Sequence, residues 1–423
     1  MKNSSHVRWG ICALLFFATT INYIDRQVIG LLKPVLEKDL GWQESDYGWV
    51  VFAFQTAYAA MMPFAGRLID RLGTRLGYFI AVGVWSAAAM CHSLAANAMQ
   101  FAAARFALGI GESANFPAAL KTVANWFPVR ERALATGIFN SGSNIGATVA
   151  PLAVPWLAVH YGWRSAFLIT AASGFLWMAL WWILYREPRE HPGISLAERL
   201  MIEEGRGAPP PALAISYQRL LKDRVAWAYL IGKFLTDPVW WFFLFWLPGY
   251  LNTTYHLDIS SLGLPLVAIY QASTLGSLGG GWLSSFLLRR GWTVNRARKT
   301  AMLICALGVL PLIFIQQTGG HLWPAVALIS LAAASHQGWS ANIFNLPADV
   351  FPQTAVASVV GLGGMGGAIG GAIVAPAVGY WLSFSHGSYA PLFIVAGSIY
   401  LIALGIIQVL APRLEPSTNS LSC

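Results

Sequence analysis

Six ionisable residues lie inside apolar stretches that are long enough to cross a membrane: Asp25, Arg26, Arg105, Glu112, Lys233 and Asp237. A charge at the centre of a bilayer costs about 2.5–3.5 kcal/mol on insertion scales, so such residues face a protein interior or a water-filled cavity and are functional by default. The three acids can bind and release protons, and the three bases can bind an anion. A set of purely structural ion pairs is the alternative, although buried pairs often fail to offset their desolvation.

The spacing of these residues indicates which of them share a face. Arg105 and Glu112 are seven residues apart in RFALGIGE, which is two helical turns and about 10 Å of rise, so they share one face of a helix. Asp25 and Arg26 are adjacent, so one can face a cavity while the other turns toward a neighbouring helix. Tyr58 places a hydroxyl group on an otherwise apolar helix, and a buried hydroxyl requires a hydrogen-bond partner. A packing aromatic with a local hydrogen bond is the alternative for Tyr58.

The second half of the chain contains KFLTDPVWWFFLFWLP, residues 233–248. Lys233 and Asp237 form an i, i+4 pair, and Pro238 is predicted to break the helix beside them. Broken helices at membrane depth are tolerated where they line a cavity, and in transporters they occur at substrate sites. Three roles are therefore open for Lys233: it contacts a substrate, it extends to the cytoplasmic surface, or it simply pairs with Asp237.

Neutral polar residues follow in HQGWSANIFNLPADVFP: His336, Gln337, Ser340, Asn342 and Asn345. Hydrogen-bonding side chains of this kind suit a ligand with many hydroxyl groups, and adhesion between helices is the alternative. Glycines recur in GIFNSGSNIGATVAP (137–151) and in GLGGMGGAIGGA (361–372). The run at 361–372 lacks the flanking strand of a phosphate-binding loop, and the glycines of both segments predict close contact between helices.

Membrane-spanning helices must position these residues, because the composition excludes a soluble fold. Of the 423 residues, 56% are hydrophobic and only 11% are charged, whereas soluble domains carry about 25% charged residues. The mean hydropathy is +0.56. The four cysteines have neither the spacing of a disulfide framework nor that of a zinc site, so no metal is predicted.

A bilayer core of about 30 Å needs about 20 apolar residues per helix, and twelve such segments are present. The first six are 9–33, 46–69, 76–96, 99–122, 133–157 and 163–185, and the second six are 225–251, 262–288, 298–317, 322–346, 355–380 and 388–411. The sequence predicts an all-α polytopic membrane protein. It has an N-terminal six-helix half (1–186), a cytoplasmic linker with a short amphipathic helix (187–224), and a C-terminal half with a short cytoplasmic tail (225–423).

Related loops follow the second helix of each half and indicate a duplicated architecture. GRLIDRLGTR (66–75) and GWLSSFLLRRGWTVNRARK (281–299) both open with glycine, carry a leucine two residues later and end in a basic cluster. The repeat is degenerate, since Asp70 corresponds to Ser285.

The distribution of basic residues predicts the orientation. The net charge is +9, and most of the 27 Lys and Arg residues lie at the N-terminus, in alternate loops and near the C-terminus. Only Lys33, Lys38 and Arg164 fall on the other side. By the positive-inside rule, both termini are predicted to be cytoplasmic. The charge is not gathered into a patch, which excludes nucleic acid as a partner.

The chain resembles the major facilitator superfamily over nearly its whole length. GRLIDRLGTR is similar to the loop 2–3 signature of that superfamily at Gly66, Asp70, Arg71 and Gly73. YIDR, RFALGIGESANFPA and NWFPVRERALATGIFNSG resemble the anion:cation symporter family. KFLTDPVWWFFLFWLP and HQGWSANIFNLPADVFP further resemble the bacterial hexuronate transporters of that family, the galacturonate and glucuronate carriers.

The resemblance implies two six-helix halves with inverted three-plus-three repeats, and proton-coupled import of an organic monoanion without a cofactor other than protons. It also implies a monomer in the bacterial inner membrane. The expected proton-coupling residues are Asp25 and Glu112. The expected substrate-binding residues are Tyr23, Arg26, Tyr58, Arg105, Lys233, His336, Gln337 and Asn342. The expected gating residues are Gly66, Asp70, Arg71, Gly73 and Arg75.

This chain departs from the family pattern at two places. Lys233 stands where some relatives carry glutamine, and the glycine run 361–372 offers no asparagine where some relatives have one. The first departure suggests a second cation that contacts the substrate.

Other classes of protein fit the sequence less well. An enzyme would need a nucleophile elbow, an HExxH motif or a phosphate-binding loop, and the sequence has none of them. The loops cannot accommodate a nucleotide domain, which excludes an ATP-driven pump. Duplicated halves and charges at mid-membrane favour alternating access over a channel, and a non-transporting membrane sensor is a further alternative. Among transporters, the substrate could instead be an aldonate such as galactonate, an aromatic acid or a dicarboxylic acid.

Overall fold

The computed structural model describes residues 6–204, 220–351 and 353–414, and within these ranges the regular structure is helical. The first half and linker contain α1 (Val7–Leu40), α2 (Glu44–Leu72), α3 (Thr74–Cys91), α4 (Ala98–Glu112), α5 (Asn115–Trp126), α6 (Val129–Tyr161), α7 (Trp163–Leu184) and the short α8 (Leu196–Glu204). The second half contains α9 (Arg224–Phe245), α10 (Leu247–Tyr255), α11 (Gly263–Arg289), α12 (Val294–Val309), α13 (Leu322–Ile343), α14 (Leu346–Val350), α15 (Gln353–Phe384) and α16 (Ala390–Leu410). Short 3₁₀ helices extend α3 (His92–Leu94) and α12 (Leu310–Thr318).

All twelve predicted segments fall on these helices. In the described part of the chain, seven helices are long and apolar enough to cross a membrane, and the bent pair α9–α10 makes an eighth. The predicted segment 99–122 is divided between α4 and α5 by a turn at residues 113–114. The all-helical, multi-pass architecture that the composition predicted is therefore confirmed.

Contacts group the chain into two compact units. One comprises Met1–Val35 and Ala53–Pro209, and the other comprises Leu36–Phe52 and Pro210–Cys423. In the first unit, buried aromatic rings join α3 to α7, with the centroids of Tyr78 and Trp181 5.1 Å apart. In the second unit, α9 packs along α15 and α16, and α11 packs along α13.

The segment Leu36–Phe52, which ends α1 and begins α2, packs within the second unit. The hydroxyl of Tyr47 donates to the carbonyl oxygen of Phe245 at 2.7 Å. A Cβ added to Gly48 would lie 2.9 Å from the carbonyl oxygen of Ala375. This segment therefore completes the second unit, although its sequence lies in the first half.

Pro238 does not break its helix, contrary to the prediction. α9 continues past Pro238 for two further turns, and the chain bends by 53° between α9 and α10. Pro238 lacks the N–H that would bond the Phe234 carbonyl, and the glycine at position 370 lets the backbone of α15 approach that carbonyl closely. The bend falls at Trp246, just before Pro248 in the first turn of α10. The first N–H groups of a helix have no acceptor within the helix, so proline, which lacks this group, is tolerated at that position.

Glycines allow α6 to approach α1 closely, as their spacing predicted. A Cβ added to Gly142 would collide with the carbonyl oxygen of Phe16. One added to Gly146 would lie 2.5 Å from the carbonyl oxygen of Thr20 and 2.8 Å from Cβ of Tyr23. The position of Tyr23 therefore depends on the absence of a side chain at residue 146.

Gly146→Ala is expected to lower the melting temperature of the purified protein, because overpacking a tight contact typically costs about 1–3 kcal/mol. Gly137→Ala is the matched control on the same helix, since an added Cβ there meets nothing within 4 Å. Thermal unfolding of both variants in one detergent makes the comparison. Equal melting temperatures would show that α1 and α6 are not in this close contact.

The glycines of α15 perform the same task against α9. A Cβ added to Gly363 would collide with the ring of Tyr229, and one added to Gly367 would collide with the carboxylate of Asp237. Both glycines therefore leave the space that polar side chains of α9 occupy.

Glu198 ties the linker helix α8 to the beginning of α1. It is 3% exposed and accepts a hydrogen bond from Nη1 of Arg8 at 2.8 Å. It also accepts from the backbone N–H groups of Val7 and Arg8, each at 3.3 Å. These N–H groups belong to the first turn of α1, where a helix has no internal acceptors and favours a negative charge.

Glu198→Ala is expected to release α8 from α1. Losing hydrogen bonds to a charged group costs about 1.5–3 kcal/mol, so amide hydrogen exchange in α8 should accelerate by about tenfold or more. Hydrogen–deuterium exchange of peptides covering Leu196–Glu204 measures the effect. Glu204→Ala, which alters an exposed acid of the same helix, should leave the rate unchanged. Equal rates in both variants would contradict the proposed tie.

Candidate functional site

Arg26 and Glu112 form a buried ion pair in the first unit. Arg26 comes from α1, and Glu112 is the last residue of α4. Arg26 donates from Nε and Nη2 to Oε2 of Glu112, at 2.9 and 2.7 Å. Arg26 is 2% exposed and Glu112 is fully buried. Because water is largely excluded, the attraction between the two charges is stronger than at a surface.

Aromatic rings surround the guanidinium group of Arg26. Its central carbon lies 4.9 Å from the ring centre of Tyr23, 5.3 Å from that of Phe54 and 5.2 Å from that of Tyr58. Tyr58 also stacks on Phe54, with centroids 5.8 Å apart. Cation–π contacts of this kind stabilise a desolvated arginine. Tyr23 and Tyr58, which the sequence predicted as site residues, therefore both contact the same cation.

Arg105 also reaches residue 26. It is 1% exposed, and its Nη2 donates to the backbone carbonyl of Arg26 at 3.1 Å. Glu112 and Arg105 thus approach the same part of α1 from one face of α4, as their seven-residue spacing predicted. The result is a compact group of two arginines and one carboxylate.

Asp25 points away from the side chain of Arg26. Thr170 of α7 faces its carboxyl group, and Arg105 and Glu112 lie within electrostatic range. Asp25 is 3% exposed, and neither carboxyl oxygen meets a donor in hydrogen-bonding geometry among the described residues. The adjacent side chains therefore point in different directions: Asp25 faces α7, and Arg26 faces Glu112.

A second buried ion pair lies in the second unit. Nζ of Lys233 is 2.7 Å from Oδ2 of Asp237 and 3.8 Å from the ring centre of Phe344. The lysine side chain is 4% exposed. Lys233 therefore does not extend to the cytoplasmic surface, which was one of the alternatives for this residue.

His336 joins α9 and α16 from its place on α13. Its imidazole stacks on Trp240, with ring centroids 5.3 Å apart and the planes inclined by 3°. Nδ1 of His336 shares a hydrogen bond with the hydroxyl of Tyr400. His336 is 3% exposed, so its ring is enclosed by these two aromatic residues.

Asn342 and Gln337 occupy different surroundings on α13. Asn342 is fully buried, and its Nδ2 donates to the backbone carbonyls of Gly280 and Gly338, at 2.9 Å in both cases. This geometry matches the alternative of adhesion between helices, here between α13 and α11. Gln337 is half-buried.

The predicted gating residues surround the junction of α2 and α3. Gly73 has φ of +77° and directly precedes α3, a conformation that favours glycine. Arg75 donates to the Trp182 carbonyl at 2.6 Å, and its guanidinium lies 4.3 Å from the Trp182 ring centre. Arg71 is exposed, and an added Cβ at position 66, another glycine, would meet nothing within 4 Å. The side chain of Asp70 lies outside the described part of the chain.

Sequence reasoning did not identify four residues that contact these groups: Phe54, Thr170, Trp240 and Tyr400. Phe54 precedes Tyr58 by four residues, and Trp240 follows Asp237 by three, so helical spacing could have identified both. Thr170 and Tyr400 meet their partners through packing between helices that are distant in sequence. No local pattern marks such contacts.

Comparisons with known proteins place this arrangement in a family context. The family model described as Major Facilitator Superfamily matches residues 15–375. The hexuronate transporter of Escherichia coli (strain K12) is 32% identical over 412 residues, which cover 96% of this chain and 94% of that protein. The galacturonate transporter of Dickeya chrysanthemi is 31% identical over 334 residues, which cover 78% of this chain and 96% of that protein.

The fold also has solved counterparts. The crystal structure of a D-xylose-proton symporter aligns with a TM-score of 0.75 and 14% identity, and the alignment covers 98% of this chain and 99% of that one. At this identity the likeness concerns the fold alone. Together with the family match over residues 15–375, it confirms the predicted architecture. The chain is therefore a multi-pass membrane transporter, not an enzyme, and it belongs to the Major Facilitator Superfamily.

Proposed function

We propose that this chain imports a sugar-acid monoanion in symport with protons, with a hexuronate such as galacturonate or glucuronate as its substrate. The names of the two relatives support this substrate class. The buried pair of Arg26 and Glu112 is the observation that carries the mechanism. The bacterial origin of these relatives supports a location in the bacterial inner membrane, and the distribution of basic residues supports cytoplasmic termini.

Competition for Arg26 links the anion to the proton. Its guanidinium does not lose its proton, and leaving a buried charge without its partner costs about 3–5 kcal/mol. Glu112 is that partner here, and a substrate carboxylate can take its place with two parallel hydrogen bonds. Protonation of Glu112 releases Arg26 to the substrate, so proton binding and anion binding favour each other.

Asp25 supplies a second acid beside this pair. Its carboxyl group is 3% exposed, and an ionised group in buried surroundings carries a desolvation cost, which Thr170 and Arg105 offset only in part. Binding a proton removes that cost, while Arg105 lies within electrostatic range when the group is ionised. We therefore assign proton exchange to Asp25 as well as to Glu112.

The proton gradient is a sufficient driving force for this reaction. One pH unit contributes about 1.4 kcal/mol per proton, and the membrane potential adds about 2.3 kcal/mol per charge per 100 mV. One proton per monoanion is electroneutral, whereas two protons allow the potential to contribute. Transport then proceeds by alternating access, with the junction of α2 and α3 at residues 66–75 controlling the cytoplasmic side.

Uptake of labelled galacturonate into proteoliposomes tests the proposal. We expect accumulation with an acid-outside gradient, loss of accumulation with a protonophore, and inhibition by excess glucuronate. Accumulation that ignores the gradient would contradict proton coupling. Uptake of galactonate but not of galacturonate would replace the hexuronate with an aldonate. Vesicles without protein provide the baseline.

A further inference from the structure

A groove lies between α3 and α7 on the exposed surface of the first unit. It has a volume of about 420 Å³ and is lined by Phe79, Phe175, Met178, Ala179, Trp182 and Ile183. Phe175, Trp182 and Ile183 are 39%, 43% and 69% exposed, so the groove opens away from the core of the unit. Both helices are long and apolar enough to cross a membrane. The groove therefore faces the acyl chains of the surrounding lipid.

Two arginines lie at one end of this groove. The carbonyl oxygen of Trp182, in the last turn of α7, accepts hydrogen bonds from Nη2 of Arg75 at 2.6 Å and from Nη1 of Arg186 at 3.2 Å. The guanidinium group of Arg75 also lies 4.3 Å from the ring centre of Trp182. Phe79 follows Arg75 by one helical turn on α3, and its ring centre is 5.0 Å from that of Trp182. The groove therefore has an apolar body and a cationic end.

The positive charge at this end is not neutralised by a described carboxylate. Neither arginine forms an ion pair with an acidic residue whose side chain the structure describes. Glu187 accepts instead from the hydroxyl of Tyr185 at 3.0 Å and from Nδ2 of Asn125 at 3.2 Å. Nε of Arg75 is buried and meets no acceptor among the described residues. Since a guanidinium group has five N–H donors in a planar fork, donors remain for a further anion.

Capping of α7 accounts for only part of this arrangement. The last carbonyl groups of a helix have no partner within it, and cations are favoured beside them. A capping role, however, needs only one N–H group from each arginine and no groove. A second groove of about 470 Å³ provides a comparison: it lies between the 3₁₀ extension of α12 and α13, and its lining residues include no Lys or Arg. The two arginines thus distinguish the first groove from an ordinary gap between lipid-facing helices.

We propose that the groove between α3 and α7 binds an anionic phospholipid of the surrounding membrane. Its phosphate lies on Arg75 and Arg186, since arginine binds phosphate oxygens through paired hydrogen bonds, and one acyl chain follows the groove. Basic pockets between membrane-spanning helices on the cytoplasmic side bind anionic headgroups, and the proposed orientation places this end of α7 at the cytoplasmic surface. The inference uses neither Arg26 nor Glu112, and it does not depend on the identity of the transported anion.

Titration of the purified transporter with dioleoyl phosphatidylglycerol in a neutral detergent tests this proposal, with the bound lipids counted by native mass spectrometry. Wild-type protein should bind this lipid about 10-fold more tightly than dioleoyl phosphatidylcholine, whose headgroup has no net charge. Arg75→Gln or Arg186→Gln should weaken binding of phosphatidylglycerol about fivefold, and the double variant about 25-fold. Arg289→Gln/Arg290→Gln removes two exposed arginines at the end of α11 and should have no effect.

Filling the groove tests the contact with the acyl chain without altering any charge. Ala179 is exposed and lines the groove, so Ala179→Trp should also weaken binding of phosphatidylglycerol, by about fivefold or more. Ala327→Trp is the matched control, since it fills the second groove at an exposed alanine, and it should leave binding unchanged. Melting temperatures verify that each variant is folded. Ala179→Trp retains both arginines, so it decides if the double arginine variant does not fold.

The outcomes separate a lipid site from the alternatives. Equal binding of the two lipids by the wild type overturns the proposal, as does wild-type affinity in Arg75→Gln/Arg186→Gln, and capping of α7 then remains as the role of the arginines. Displacement of phosphatidylglycerol by an equal concentration of inorganic phosphate, or wild-type affinity in Ala179→Trp, overturns the assignment of a lipid to the groove. Weaker binding in both variants, with both controls unchanged, supports it.

Discussion

Glu112→Gln is expected to reduce acid-driven uptake of galacturonate by at least about 100-fold, equivalent to about 2.7 kcal/mol, while exchange of substrate for substrate persists. Glutamine resembles the protonated acid but cannot ionise. Arg26 therefore stays available to the anion at every step. Net uptake also requires the transporter to reorient without substrate, and in this variant it would do so with a buried arginine that has no carboxylate partner. Exchange does not require that empty return, so it should survive.

Two proteoliposome assays on the same preparation separate these reactions. One measures accumulation under an acid-outside gradient, and the other measures counterflow of labelled galacturonate into vesicles loaded with unlabelled galacturonate. Glu190→Gln removes an exposed carboxylate outside the predicted spans and serves as the control. Undiminished gradient-driven accumulation in Glu112→Gln would refute proton coupling through this residue.

Arg26→Met is expected to destabilise the protein by about 3–5 kcal/mol, because it leaves the fully buried Glu112 without its counter-ion. Adding Glu112→Gln removes the unpaired charge, so the double variant should recover much of the lost stability. It should still transport nothing, because it lacks Arg26, the cation that we propose binds the substrate carboxylate. Stability and transport are thus expected to diverge in a single pair of variants.

Melting temperatures and uptake of the single and double variants test this divergence. The experiment addresses the alternative that the intramembrane charges are structural ion pairs only. Under that alternative, the double variant would regain uptake together with stability, and this result would remove Arg26 from the binding site. Recovery of stability without uptake supports a functional pair.

Much of the fold followed from composition and from the length of the apolar segments, because a bilayer admits few structures. The charged residues of the candidate site were also visible, since intramembrane charges are rare and costly. The helical repeat correctly placed Arg105 and Glu112 on one face. The helical repeat and the free-energy cost of a charge in the membrane depend on nearby residues only, so a single sequence shows both directly.

The contacts between helices were not visible in the same way. Sequence spacing could not decide which acid would pair with Arg26, because the choice depends on how α4 lies against α1. Pro238 predicted a broken helix from a local rule, whereas α9 continues past it to Phe245. The need for glycine at position 367 arises from the side chain of Asp237 on another helix.

The placement of Leu36–Phe52 in the second unit limits how this transporter can be divided in the laboratory. A cut in the linker would separate Tyr47 from Phe245, although they are hydrogen-bonded. A C-terminal fragment produced alone would expose the backbone that Gly48 covers at Ala375. Chimeras that exchange halves between related transporters should therefore take Leu36–Phe52 from the same parent as the C-terminal half. The module that can be exchanged is not a continuous stretch of sequence.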